Sequence, residues 1–152
     1  MKETLAELFT QAQGPTVDYN GLTVHGAVFR PVKKPSRFIV RFIKYVERPV
    51  QALLIDIDTG KLFVEDSVSS KMILRLDTSP HVVEVRYEPS HQGSKVIIYN
   101  GWINENGGTD AWLMHSGMLV EETGNKMILR CSDGLGEPTF DDLIVEIEFV
   151  DD

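Results

Sequence analysis

The stretch "DDLIVEIEFV", Asp141–Val150, alternates through its second half, with Val145, Ile147 and Phe149 on one side and Glu146 and Glu148 on the other. A period of two belongs to a β-strand with one face on a core and one in water. "VVEVRY", Val82–Tyr87, repeats the pattern, with Val83, Val85 and Tyr87 inward and Glu84 and Arg86 outward. Each of these strands comes after a copy of "KMILR", at Lys71–Arg75 and at Lys126–Arg130. Further upstream, "LFVEDSVSSKMILR" (Leu62–Arg75) aligns with "MLVEETGNKMILR" (Met118–Arg130), and "RFIVRFIKY" (Arg37–Tyr45) aligns more weakly with "SKVIIYNGW" (Ser94–Trp102). The expectation is an internal duplication over residues 37–87 and 94–149. Its alternative is that β-branched and aromatic residues suit any pleated surface and recur for that reason.

Outward from these segments the pattern persists. Beside strands at Lys71–Leu76, Val82–Tyr87, Lys126–Cys131 and Leu143–Val150, others are expected at Leu22–Phe29, Phe38–Val46, Gln51–Ile57, Lys61–Val64, Lys95–Tyr99, Ala111–Met114 and Gly117–Glu121. Pro, Gly, Asn, Asp and Ser separate nearly all of them. Thr4–Ala12 is the one expected helix: Leu5, Leu8, Phe9 and Ala12 share a face, and Gly14-Pro15 ends it. The reading is one all-β domain over residues 1–152, a two-layer antiparallel β-sandwich with a short N-terminal helix. A closed β-barrel is the second architecture.

Composition narrows the function. The chain has 152 residues and a net charge of −8. From Cys131 to Asp152 there are eight acids and no Lys or Arg, so residues 1–130 are formally neutral. Nucleic-acid binding needs clustered cations, and this distribution argues against it. The single cysteine, Cys131, excludes an intrachain disulfide framework. No apolar run has the length of a signal peptide or a membrane span, so the expected location is the cytoplasm, with signal-independent secretion left open. Exposed strand edges make a homo-oligomer one expectation.

The two KMILR copies differ most in the connection after each. Behind Arg130 it is seven residues longer than behind Arg75, and it gains Asp133, Glu137, Asp141 and Asp142. Gly134, Gly136 and Pro138 argue against a helix there and favour a turn that folds carboxylates together. Crowded carboxylates repel unless a cation or protons neutralise them, and hard oxygen ligands on a flexible loop suit Ca²⁺. "DGLGEPTFDDLIVEI" (Asp133–Ile147) resembles the acidic loop of calcium-dependent lectins and related secreted bacterial β-sandwich modules. The resemblance implies calcium ligation by Asp133, Glu137, Asp141 and Asp142. Thr139 stands where that pattern has an aspartate and Pro138 is atypical, so one calcium is implied rather than a sugar-bridging pair. The structural alternatives are a solvated turn, a charged gatekeeper before an apolar strand, and pairing with Lys71, Lys126 or Arg130.

Other chemistry is sparse. His25, His81, His91 and His115 have no metal-ligand spacing, and no catalytic residue is assigned. Carboxylates near Cys131 disfavour its thiolate. "NGWINENGG" (Asn100–Gly108) brings Trp102, Asn104, Glu105 and Asn106 together in a loop with Trp112 close behind, the residue types used in sugar recognition; core tryptophans in a long hairpin are the alternative. The expected function is a non-enzymatic binding or assembly module that binds calcium and recognises carbohydrate. Two rivals stand beside it: an acidic inhibitor or immunity-type protein docking a basic partner, and a small β-barrel cyclase or isomerase with an unrecognised pocket.

Overall fold

The computed structural model describes residues 3–150. Helix α1, Leu5–Ala12, begins at Thr4, whose hydroxyl accepts the Glu7 N–H while the Glu7 carboxylate reaches back to the Thr4 N–H. This reciprocal cap satisfies two of the donors a helix start leaves free. Gln13, left-handed at φ 54°, closes its other end. The strands then run as β1 (Thr16–Tyr19), β2 (Leu22–His25), β3 (Val28–Pro31), β4 (Ser36–Tyr45), β5 (Gln51–Ile57), β6 (Gly60–Val64) and β7 (Ser67–Ser69). After them come β8 (Lys71–Arg75), β9 (Val82–Pro89), β10 (Lys95–Ile103), β11 (Thr109–Asp110), β12 (Gly117–Thr123), β13 (Lys126–Ser132) and β14 (Leu143–Val150).

They form two antiparallel sheets, one of nine strands in the order β1-β2-β12-β13-β14-β4-β9-β6-β7 and one of five. The smaller runs β11-β10-β5-β8, with β3 also on β10. The sheets do not close on each other, so the architecture is the sandwich and not the barrel. Alternation works as the sequence implies. Val145, Ile147 and Phe149 of β14 join Phe38, Val40 and Phe42 of β4 and Val83, Val85 and Tyr87 of β9 in the core. Leu53, Ile55 and Ile57 of β5, with Val96 and Ile98 of β10, join it from the other sheet. Outside, Arg41 lies 2.8 Å from Glu148 and 3.1 Å from Glu146, so the acids of the last strand meet a cation on the strand beside them.

The two KMILR segments hold unlike positions. β8 is the edge of the five-stranded sheet beside β5, whereas β13 lies inside the nine-stranded sheet between β12 and β14. The β12–β13 hairpin has no counterpart, because β6 pairs with β7 and β9 and the chain changes sheets before Lys71. What recurs is the placement of the closing strands: β9 and β14 flank β4, and Phe38 pairs with Val85 on one side and Phe149 on the other. The repeat is one of sequence and of single strands, and pairing does not reproduce it.

Three further differences bear on the site. Leu22–Phe29 is two strands, not one; at Gly26-Ala27 the chain leaves the large sheet and enters the small one. Thr16–Tyr19, too short and polar to stand out, pairs with β2 as the edge of the large sheet. Ala111–Met114 is not a strand at all but a loop, with Trp112 at φ 59° and Met114 at φ 49°.

Candidate functional site

The acidic loop to which the sequence points is built around Asp133. This residue is 3% exposed, and its carboxylate is occupied by protein donors: Gln51 Nε2 at 3.0 Å and the Leu135 N–H at 3.0 Å. The Asp133 N–H donates to Asp142 Oδ2 at 2.9 Å, which brings these two acids together. Asp141 is exposed and 3.9 Å from Lys44, and Glu137 is exposed on the turn. Burial holds Asp142 above the usual carboxylate range; Asp133 and Asp141 add repulsion, and the Asp133 N–H offsets part of it. The four carboxylates form no shared cage. Among the described residues no group of three or more His, Cys, Asp or Glu side chains is placed to hold a metal ion. The loop's Gly134 serves packing instead: a Cβ there would lie 2.6 Å from the Trp102 ring and 2.8 Å from the Leu113 carbonyl oxygen.

The second sequence candidate divides. Trp102 is 3% exposed, under Gly134, and offers no face to a ligand. Asn104 organises its own turn: its Oδ1 accepts the N–H groups of Asn106 and Gly108, and its Nδ2 donates to Asp110. Glu105 and Asn106 are exposed at the tip of that turn. Trp112 is the exception. It is 51% exposed, its ring is stacked on Tyr99 with centroids 4.3 Å apart and planes 22° off parallel, and its Nε1–H donates to Gly26 O at 2.7 Å.

That last bond ties Trp112 to the corner where the chain changes sheets, beside a groove. Ala6, Phe9, Thr10, Gln13, Gly14 and Pro15 of the helix and its exit form one wall; Gly26, Ala27, Phe29 and Trp112 form the other, around a volume of about 500 Å³. Phe29 is 49% exposed. At Gly26 the walls come together, and a Cβ there would sit 3.4 Å from the Phe9 ring. The helix wall is anchored from both ends. Ala6 N–H donates to Met114 O at 2.8 Å, and Gly26 N–H to Pro15 O at 2.8 Å. A separate small core of Leu5, Val17, Val24 and Phe140 supports the helix. A residue held at positive φ without being glycine carries a steric cost that its surroundings must overcome. At Trp112 and Met114 two hydrogen bonds and a ring stack do so, and the product is a large aromatic surface left half in water.

Little of this groove is visible in the sequence. Phe9 reads as helix core, and Gly26 and Phe29 as residues of one strand, Leu22–Phe29. Trp112 alone stands out, and with different neighbours. The available signal is "AWLMH", Ala111–His115, four consecutive large side chains after a small one, without the alternation of a half-buried strand.

No lining residue of the groove is ionisable. No histidine lines the groove, although His25 precedes Gly26 and His115 follows Met114. His91 has a hydroxyl partner, Thr59 Oγ1 at 2.9 Å from Nε2; its Nδ1 accepts the Gly93 N–H, so in the neutral ring Nε2 carries the proton and donates. That polarity is opposite to a general base acting on a hydroxyl. A larger depression, about 770 Å³, lies between the β6–β7 hairpin and the β8–β9 connection. Of its charged lining, Glu65, Glu84 and Arg86, the last two are already in contact at 3.9 Å. Cys131 is buried, and burial pushes its thiol far above the range of a usable thiolate. No helix among the described residues is long and apolar enough to cross a membrane.

No protein-family model matches the chain, and no curated protein or solved structure matches it significantly.

Proposed function

We propose that this chain is a non-enzymatic binding module and that its site is the aromatic groove between α1 and Trp112. The observation that carries the reading is the state of Trp112: fixed on one face by Tyr99, fixed at its edge by Gly26, and half exposed in the wall that it shares with Phe29. A rigid aromatic surface loses little conformational entropy when it is covered, and such residues dominate binding energy where they occur. The groove suits an uncharged apolar or aromatic group, because nothing in its lining can pair with a buried charge. A lining without acid or base supports binding rather than turnover.

The test is a titration with a blocked phenylalanine (N-acetylphenylalaninamide) of the wild-type chain and of Trp112→Ala. The wild type binds and the variant loses at least about tenfold in affinity, the scale of one anchor contact. Because Trp112 is half exposed, its removal costs about 1–3 kcal/mol of stability through the lost stack and hydrogen bond. Equal affinities in the two folded proteins would remove Trp112 from the site.

A further inference from the structure

The groove has a charge environment that its own lining does not reveal. The segments that build it and surround it are Glu3–Phe29 and Val96–Asn125, and neither contains a single Lys or Arg, while they contain Glu3, Glu7, Asp18, Glu105, Asp110, Glu121 and Glu122. Glu3 precedes α1 and Glu7 lies in its first turn, while Asp18 on β1 lies across the outer side of the same helix, beside Leu8 and Gln11. Asp110, two residues from Trp112, accepts from Asn104. Of the cations that border these segments, Arg30 lies over Phe149, Lys71 lies over Tyr99, and Arg130 is paired with Glu121. The apolar surface also continues past the groove. Leu113 and Met114 are about as exposed as Trp112, and exposed Leu135 comes after Gly134, which packs on the Leu113 carbonyl.

An apolar centre with an acidic surround defines the complement. Building on the proposed groove, we infer that the partner is a basic polypeptide segment that inserts an aromatic or apolar side chain beside Trp112 while flanking Lys or Arg residues meet the carboxylates of the helix start, β1 and Asp110. An uncharged anchor satisfies the lining and cations satisfy the rim. An acidic segment would be repelled by every charged residue of the segments that form the site. Rim contacts of this kind act chiefly on association and on salt dependence.

Two synthetic pentapeptides test the inference, each with a central phenylalanine, one with two lysines on either side and one with two glutamates. At low salt the lysine peptide binds at least about tenfold more tightly than the glutamate peptide, and the gap narrows as sodium chloride is raised to several hundred millimolar. The combined variant Glu3→Gln, Glu7→Gln, Asp18→Asn, Asp110→Asn loses that preference but binds blocked phenylalanine as the wild type does. Equal affinity for the two peptides, or tighter binding of the glutamate one, overturns the basic partner and leaves the groove standing. Failure of blocked phenylalanine to bind overturns the groove and the partner with it. Lysine-peptide binding that survives Trp112→Ala places the cations elsewhere and overturns the inference too.

Discussion

At the scale of single residues, Asp133 and Asp142 divide one hydrogen-bonded turn between them. Asp133 is a buried acceptor that pins the turn to Gln51 and the Leu135 amide. Asp142 sits beside it at an energetic cost, since burial and two neighbouring acids disfavour its charge. A carboxyl whose folded pKa is raised opposes folding once ionised, so its penalty is absent below the unfolded pKa and full above the folded one. Asn keeps an oxygen to accept the Asp133 N–H. Asp142→Asn is therefore expected to unfold at a higher urea midpoint than the wild type near neutrality, with the two converging as pH falls through the titration of Asp142. A variant weaker than the wild type at neutral pH would show that the ionised carboxylate is needed there. In the sequence these acids are candidates for metal ligands or for turn and gatekeeper residues, because composition shows their number and not the donors that the fold aims at them. Trp102 and Trp112 make the same point in another way. Both are tryptophans in a loop-rich stretch, yet one is roofed by a glycine and the other is held half in water by a backbone carbonyl. Both outcomes depend on partners distant in sequence, so neither is legible from local pattern.

At the scale of elements, most strands are legible. Gln51–Ile57 and Leu143–Val150 are found at the expected bounds, because uninterrupted apolar runs and clean alternation leave little choice. The elements misread are the short edge strand Thr16–Tyr19 and the places where the chain changes sheet or leaves it. Leu22–Phe29 has strand composition throughout, and the break at Gly26-Ala27 exists only because two sheets need the two halves. Ala111–Met114 has the right residues for a strand but forms a loop with two left-handed positions, and Trp112 within it walls the groove. The acidic surplus of the last strand finds its compensation within the fold, in β4. Arg41 holds Glu148 below the usual carboxylate range, first through their hydrogen bond. A depressed carboxyl stabilises the fold above its unfolded pKa, and that contribution is lost as pH falls through the folded value. Arg41→Ala should lower the urea midpoint near neutrality and make no difference in strong acid, where Glu148 is protonated in both proteins. A pH-independent difference would mean that Arg41 acts through packing alone.

At the scale of the whole molecule, the cations concentrate in one stretch of the chain. Residues 30–95 carry most of the cations and use several of them in ion pairs, as with Arg37 and Glu84 and with Arg75 and Asp77. The helix, the corner at Gly26 and the Trp112 loop carry none, and they enclose the aromatic groove. The fold class is legible because periodicity is a property of single strands. The groove is not, because it is assembled from separated segments, joined by the contacts Ala6 to Met114, Gly26 to Pro15 and Trp112 to Gly26. The most direct test uses the two indole N–H signals as probe and internal control. In a ¹H–¹⁵N spectrum titrated with blocked phenylalanine, the Trp112 indole signal and the amides of Gly26, Ala27 and Phe29 should shift together while the Trp102 indole stays in place. An unmoved Trp112 signal, or shifts confined to the Asp133–Asp142 loop, would contradict the account.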